Sequence, residues 1–250
     1  GTYAIFLAKF DTHGNLLSLP PRPMIEKAWG TGEDTLSDMD TNVSWNILVS
    51  GYFAGASTDI FSYPLTSSWG QDGYIAYLDG SWSAVRPPFI SKKAWGIGTD
   101  VGYQTTTDPD GNIFMIGNFQ GTNTDIFGQT LTSSWNSDIF VAKLSSTGNL
   151  IWEKKAWGTG LIEVGNGISL DDLGNIYTLG QFSGTGTDIF WTFLTSSGLQ
   201  DAFLAKLSST GNLMWVKKTS STTQDYGYSA STDGSWNTLI TWSFAWTNVD

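Results

Sequence analysis

Four acidic residues stand ahead of four short segments of small side chains, and this shared position gives the clearest indication of chemistry in the sequence. They are Asp34, Asp100, Glu163 and Asp225. If these segments are strands that line one channel, the four carboxylates gather near one opening, where they repel each other and favour a hard cation such as Ca²⁺. The alternative is that each carboxylate accepts N–H bonds from its neighbouring loop. The sequence leaves both interpretations open.

Enzymatic chemistry has little support in the rest of the chain. His13 is the only histidine, and it lies in the turn Asp11-Thr12-His13-Gly14 without a Ser or carboxylate placed as its partner, so we expect a solvated turn residue. The chain has no cysteine, which excludes disulfides, zinc–thiolate sites and Cys nucleophiles. A glycosidase stays open because it needs only two carboxylates. We predict that the protein is not an enzyme.

Five tryptophans stand at turn positions where a sister segment of the same chain has glycine. They are Trp45, Trp69, Trp82, Trp135 and Trp236. Glycine is favoured in such turns because it accepts a positive φ, which a bulky side chain resists. Three interpretations follow: exposed platforms for stacking sugars, anchors of a protein interface, or rings that fold back on the neighbouring sheet.

An internal repeat must position these residues. The segment 138–152 recurs almost letter for letter as 201–215, an offset of 201 − 138 = 63 residues, and weaker copies lie at 3–15 and 72–83. A fixed period of this size indicates a repeat architecture. Two shorter motifs recur with it, Lys-Ala-Trp-Gly at the end of one segment and Thr-Asp-Ile-Phe in a loop.

Each repeat contains four segments with the apolar pattern and flanking turns of β-strands. Four copies of four strands predict an all-β fold, a β-propeller of four blades with four antiparallel strands each. We expect residues 1–250 to form a single domain. Its repeat units are roughly 31–95, 96–157, 158–218, and a split unit made of 219–250 and 1–30.

The split unit predicts how the ring closes. The chain starts with the two outer strands of a unit and stops after two inner strands, so we expect the N-terminal and C-terminal segments to pair in one sheet. A segment cut from a longer array would show the same pattern.

The repeat also resembles a known family. The string Asp138 to Leu144, followed by Gly148-Asn149-Leu150-Ile151-Trp152 and by the segment 174–185, is similar to the SBBP-type β-propeller repeat of bacterial and archaeal surface proteins. The resemblance extends over the whole chain and is most specific over 138–213. It implies a propeller in an extracytoplasmic setting, and it implies no shared catalytic residues.

The composition of the chain excludes several classes of binding partner. A net charge of −11 argues against nucleic acid and against an anionic membrane surface. No apolar run reaches the roughly 18 residues of a spanning helix, so we expect no membrane insertion. We predict a secreted or surface-displayed structural or adhesive module that assembles with itself or with a surface protein. The alternative function is carbohydrate binding by the turn tryptophans.

Overall fold

Every regular element in the described residues is a β-strand. The computed structural model describes the chain except for residues 1–4, 9, 17, 20–21, 24, 31, 43–45, 56–57, 61–62, 68–69, 79–89, 135, 161, 234–236 and 245–250. The twenty-four strands are β1 (Ile5–Ala8), β2 (Ser18–Leu19), β3 (Arg22–Pro23), β4 (Ile25–Gly30), β5 (Asp34–Thr41), β6 (Ile47–Phe53), β7 (Thr58–Ile60), β8 (Tyr63–Leu65), β9 (Asp72–Leu78), β10 (Ile90–Trp95), β11 (Val101–Thr107), β12 (Ile113–Gln120), β13 (Thr124–Ile126), β14 (Gln129–Leu131), β15 (Ser137–Leu144), β16 (Leu150–Ala156), β17 (Glu163–Leu170), β18 (Ile176–Phe182), β19 (Thr187–Asp188), β20 (Phe193–Leu194), β21 (Asp201–Leu207), β22 (Leu213–Lys218), β23 (Asp225–Thr232) and β24 (Thr238–Phe244). In this part of the chain no helix has the length and apolar character needed to cross a lipid bilayer.

Three four-stranded antiparallel groups account for half of the strands. The first has the order β5-β6-β9-β10 and is continued by β13 and β14 into a six-stranded sheet, the second has the order β11-β12-β15-β16 and the third β17-β18-β21-β22. Equivalent pairs recur in register, for example Ile116 opposite Val141 in the second sheet and Leu179 opposite Leu204 in the third. The predicted all-β, antiparallel class is confirmed.

The second strand of each sheet lies in the core. All seven residues of β18 are buried, and so are seven of the eight in β12, because sheets pack on both faces of these strands. One apolar cluster joins the first sheet to the second, and another joins the second to the third. Phe182 and Phe203 meet edge to face within the third sheet, with ring centroids 6.4 Å apart.

The hairpin turns explain the recurring Asp, Gly and Asn residues. In the turn before β18, both the Leu173 and Asn175 amides donate to Asp171 Oδ1, at 3.0 and 2.8 Å. Gly174 adopts φ = 74°, a conformation that a residue with a Cβ resists. The Asp side chain and the Gly therefore fix the turn, and with it the register of β17 and β18.

The two short motifs of the repeat pair with each other. Ala28 of β4 lies opposite Ile60 of β7, and Ala94 of β10 lies opposite Ile126 of β13. In the third copy Trp157 and Asp188 exchange two backbone bonds of 2.9 and 2.7 Å. The Thr-Asp-Ile-Phe hairpin of one repeat thus pairs with the outer strand of the preceding repeat.

The first strands of the sheets lie side by side, and we call β5, β11, β17 and β23 the inner strands. Each has a register shift at the same place, between Leu36 and Asp38 in β5 and at the equivalent step in the other three. Such a bulge redirects a side chain towards a neighbour. Asp38 Oδ2 accepts the Thr105 amide at 2.8 Å, and Gln104 Oε1 accepts the Ile168 amide at 2.7 Å.

The terminal segments form separate groups of strands. β23 and β24 make a two-stranded sheet, whereas β1 pairs with β4, which continues to β7 and β8. Among the described residues no hydrogen-bonded pairing joins β24 to β1. The predicted single closing sheet is therefore not seen as one hydrogen-bonded unit.

Candidate functional site

The four predicted acidic residues are all buried where an inner strand begins. Asp34 Oδ1 accepts the Thr58 hydroxyl at 3.3 Å, Asp100 Oδ1 accepts the Gln120 amide at 3.0 Å, and Asp225 Oδ1 accepts the Ser221 hydroxyl at 2.7 Å. One of these bonds comes from a backbone N–H and two come from hydroxyl groups. The remaining oxygens Asp34 Oδ2, Asp100 Oδ2, Asp225 Oδ2 and Glu163 Oε1 are buried without a hydrogen-bond partner.

The structure does not gather these four carboxyl groups into one cluster. In the part of the chain that it describes, no group of three or more Asp, Glu or His side chains is placed to hold a metal ion. Each acid instead lies at the edge of its own sheet. The calcium ion predicted from the sequence stays a prediction, without a converging ligand set among these residues.

A second set of buried acids, which the sequence analysis missed, lies beside the first. Asp72, Asp138 and Asp201 lie in the first two positions of the third strands of the three sheets. The Asp100 amide donates to the Gln71 carbonyl at 2.6 Å, and the Asp225 amide donates to the Gln200 carbonyl at 2.9 Å. These bonds bring an acid of one sheet next to an acid of the following sheet. The Asp that begins three copies of the recurring segment, at positions 72, 138 and 201, was the signal that could have identified this set.

Lysines of the outer strands neutralise part of this charge. Lys155 Nζ lies 3.1 Å from Asp138 Oδ2, and Lys218 Nζ lies 2.6 Å from Asp201 Oδ2. The other oxygen of each carboxylate, Oδ1, is buried without a partner. Each of these aspartates therefore turns one oxygen to its own lysine and keeps the other unbonded.

Burial shifts the pKa of three of the predicted acids, Asp34, Asp100 and Glu163, upward. Loss of solvent, and to a smaller extent the nearby charge of Asp138, raises the pKa of Glu163 to about 7. Loss of solvent likewise raises the pKa of Asp100 to about 7, with the Gln120 amide opposing the shift and Asp72 reinforcing it. The pKa of Asp34 is also raised by burial, against the hydrogen bond from Thr58.

All four inner strands line one polar cavity of about 300 Å³. The lining includes Asp38 and Asp40 of β5, Thr105 and Thr107 of β11, and Thr232 of β23. Thr107 donates its amide to Asp40 at 3.2 Å, and the Ser169 and Thr232 hydroxyls are 2.8 Å apart. The carboxylates and hydroxyls at this wall are thus engaged in joining neighbouring strands, while the space between them suits small polar solutes.

The five predicted tryptophans, Trp45, Trp69, Trp82, Trp135 and Trp236, lie outside the described residues. A sixth, which the sequence analysis missed, fits the same rule. Trp191 follows the third Thr-Asp-Ile-Phe motif where the second copy has Gly128, and its φ of 77° lies in the left-handed region that Gly128 also occupies at 101°. The indole is 85% exposed, and Phe193 on the same hairpin is exposed too.

His13 lies in an exposed turn, as the sequence predicts. Its amide donates to Asp11 Oδ1 at 2.8 Å, and Asn15 donates to both oxygens of the same carboxylate. These bonds, led by the Asn15 side chain, lower the pKa of Asp11. The Asp11 carboxylate therefore closes the turn.

No family model matches this chain, and no curated protein sequence matches it. The resemblance to the SBBP-type repeat stays a prediction that rests on the motifs themselves.

Proposed function

We propose that the chain is a four-bladed β-propeller that works outside the cell as a non-enzymatic structural or adhesive module. Its three complete sheets would be three blades, and the fourth would combine β23 and β24 with β1 and β4. The module would assemble with copies of itself or with a surface protein.

The cavity shared by the inner strands carries the fold part of this proposal. In a propeller the first strand of every blade faces a central channel. Here strands from four repeats face one space of about 300 Å³, and β23 reaches it from the C-terminal two-stranded sheet while β5 reaches it from the first sheet. A linear stack of sheets would separate β5 from β23 by two intervening sheets.

Open sheet edges with exposed apolar side chains support the proposal that the module assembles with itself or with a surface protein. Ile151 on β16 and Met214 on β22 occupy the same position of the repeat, and their side chains are 52% and 54% exposed. Trp215 is exposed beside Met214, and in the described part of the sheet no strand pairs with the outer edge of β22. An open, apolar edge is a template for pairing with another chain.

Light scattering across a concentration series tests self-assembly. We expect the mass of the wild-type protein to rise with concentration, and we expect negative-stain electron microscopy to show ordered oligomers. Met214→Lys places a charge on the outer strand and should return the protein to single chains. The control Ile97→Lys changes an exposed apolar residue in a loop and should leave assembly intact. A single-chain mass for the wild type at every concentration would reject self-assembly.

Carbohydrate binding is the second candidate function, and Trp191 is the observation that favours it. A tryptophan that is 85% exposed in a left-handed turn presents an aromatic face without contributing to the core. Aromatic faces of this kind stack on the C–H surfaces of sugars. The five turn tryptophans predicted from the sequence would extend the same property to other repeats.

A glycan array read with wild type and Trp191→Ala tests this alternative. Binding that Trp191→Ala removes while the fold persists, together with loss in Trp69→Ala and Trp135→Ala, would establish a lectin. The control Leu199→Ala removes a different exposed apolar side chain and should keep any binding. An array without bound glycans would leave the assembly role as the surviving function.

A further inference from the structure

A second cavity, of about 240 Å³, lies where the second sheet packs on the third. Val101 and Tyr103 of β11 line one side of it, and Val164 of β17 lines the other. Two amide side chains of β12, Asn118 and Gln120, complete this part of the wall. The cavity is therefore built by side chains from both sheets.

The repeats differ at this junction in the size of two side chains. Asn118 is the equivalent of Tyr52 in the first sheet, because each lies opposite the residue that follows the acid of its inner strand. Val164 is the equivalent of Tyr226, because each directly follows such an acid. The two neighbouring junctions thus carry a tyrosine ring at one of these positions. Here Asn and Val leave the space of a ring open.

Hydrogen bonds across the junction hold one wall of the cavity in place. Asn118 is 4% exposed, and its Nδ2 donates to Ser137 Oγ at 2.8 Å and to the Glu163 backbone carbonyl. Its Oδ1 accepts the Gly165 amide at 3.1 Å. Asn118 is thereby fixed by both sheets, so this wall is preformed rather than ordered by a ligand.

The Gln120 side chain supplies polar groups that a ligand can use. Its Nε2 donates to Asn136 Oδ1 at 2.8 Å, and its Oε1 accepts the Thr99 amide at 3.5 Å. These bonds use one of the two N–H groups and one of the two oxygen lone pairs of the amide. The Tyr103 hydroxyl, which both donates and accepts, lines the same space.

The charge of the lining excludes two classes of ligand. No Lys, Arg or His is among the described residues that line the cavity, so a phosphate or another anion would find no counter-charge there. Glu163 is the one acidic residue of the lining, whereas Ca²⁺ takes six to eight oxygen ligands. A neutral molecule is left.

The shape and chemistry of the lining narrow this molecule further. Amide and phenol groups exchange hydrogen bonds with hydroxyl groups, and the two valines offer an aliphatic surface to C–H groups. The volume lies below the roughly 300–1,000 Å³ of pockets for drug-sized ligands. One sugar ring fits this description, and an oligosaccharide is too large for it.

We propose that the cavity between the second and third sheets binds one neutral sugar residue. The hydroxyl groups of the sugar bond to Gln120 and Tyr103, and its C–H face lies against Val101 and Val164. A free monosaccharide and the terminal residue of a glycan present the same ring. The site includes no residue of the Trp191 hairpin, and it does not depend on self-assembly.

Saturation-transfer-difference NMR on the full chain tests the ligand class. The test ligands are the methyl glycosides of glucose, galactose, mannose and N-acetylglucosamine. We expect at least one to receive saturation, with a dissociation constant in the millimolar range, because one ring offers only about a dozen non-hydrogen atoms. Absence of saturation in all of them would overturn the proposal. Saturation of uridine or adenosine in their place would also overturn it.

Two variants test the position of the site. Val164→Tyr fills the cavity with the ring that β23 has at the equivalent position, so we expect binding at least tenfold weaker. Gln120→Ala removes the amide and should weaken binding about threefold to tenfold. Gln129→Ala, which removes an exposed amide of β14, is the matched control and should bind as wild type does. Urea unfolding checks that each variant is folded. Undiminished binding in folded Gln120→Ala and Val164→Tyr would reject the cavity.

Trp191→Ala separates this cavity from the exposed tryptophan considered above. We expect saturation of the sugar to persist in this variant. Loss in Trp191→Ala with retention in Val164→Tyr would assign the sugar to the hairpin and overturn the proposal. Light scattering of Val164→Tyr should match wild type, so that self-assembly and sugar binding succeed or fail separately. A disaccharide with the bound sugar at its non-reducing end binds equally well if the ligand is a glycan terminus, and more weakly if it is a free monosaccharide.

Discussion

At Trp191 the backbone adopts a left-handed conformation that glycine tolerates and that residues with a Cβ rarely adopt. Its φ of 77° lies in the left-handed region, which costs a residue with a Cβ about 1–2 kcal/mol. The exposed indole contributes little burial in return. Local strain at an exposed aromatic residue is a reason to examine the position for function.

The strain at this position is testable with a reciprocal pair of substitutions. Trp191→Gly should raise the free energy of unfolding by about 0.5–1 kcal/mol, because relief of strain exceeds the greater freedom of glycine in the unfolded chain. Gly128→Trp should lower it by about 1–2 kcal/mol, although nothing lies within 4 Å of a Cβ there. Urea unfolding measures both changes. A lower stability for Trp191→Gly would show that the indole packs on the protein in solution.

At the scale of elements, the hairpins hold neighbouring repeats together through an aspartate at their turn. Asp125 Oδ1 accepts the Gly128 amide, and Asp188 Oδ1 accepts the Trp191 amide. These bonds close the turn, so that the first strand of each hairpin can pair with the outer strand of the preceding repeat.

Removal of the turn aspartate should loosen this attachment. We expect Asp125→Ala to lower the free energy of unfolding by about 1–2 kcal/mol, since a hydrogen bond to a charged group is lost. Hydrogen exchange of the β13 and β14 amides should become faster, while exchange in β12 stays slow. Asp172→Ala, an exposed turn aspartate next to Asp171, serves as the control and should change neither quantity. Unaltered exchange in β13 would mean that strand pairing alone holds the hairpin.

The sequence predicted the strands well and the contacts between repeats poorly. The four strands expected in each repeat are all found, and the start of the recurring segment 201–215 is β21, Asp201–Leu207. Apolar runs bounded by Asp-Gly turns are local signals, so they can be read from one repeat. The pairing of Lys-Ala-Trp-Gly with Thr-Asp-Ile-Phe joins residues about thirty positions apart. A local sequence pattern cannot predict such a pairing.

The candidate site illustrates the same limit. The positions of Asp34, Asp100, Glu163 and Asp225 at the heads of the inner strands were predicted, but their pairing with Asp72, Asp138 and Asp201 was not. The partner acid belongs to the third strand of the preceding sheet, and only the packing of sheets brings the two together. A bulge such as that between Leu36 and Asp38 also escapes pattern analysis, because it changes the direction of side chains without changing the composition.

At the scale of the whole molecule, closure of the ring can be tested by cysteine pairing, since the chain has no native cysteine. Thr178 lies opposite Ala205 in the third sheet, and the repeat places Ile240 opposite Ala8. Ile240→Cys with Ala8→Cys should therefore form a disulfide within one chain, because facing residues of paired strands approach to roughly 5 Å.

Gel mobility and intact mass report the outcome of this pairing. The control pair Thr178→Cys with Ala205→Cys should form an intrachain bond in any arrangement, because its strands are already joined. Two free thiols in the Ile240 and Ala8 protein would reject the closed ring. A disulfide between two chains would instead place the N-terminal strand of one copy on the last strand of another.

The docking of each Thr-Asp-Ile-Phe hairpin on the repeat before it has a consequence for how such a chain can change in length. The hairpin that pairs with the outer strand of one sheet is encoded in the following repeat. The borders of a folded sheet and of a sequence repeat therefore do not coincide. A deletion that removes one sheet at its own borders leaves its neighbour uncovered. A deletion or duplication of a full 63-residue period, begun at any point, regenerates every hairpin contact. Unequal recombination between repeats of one gene therefore yields proteins with intact junctions wherever the crossover falls.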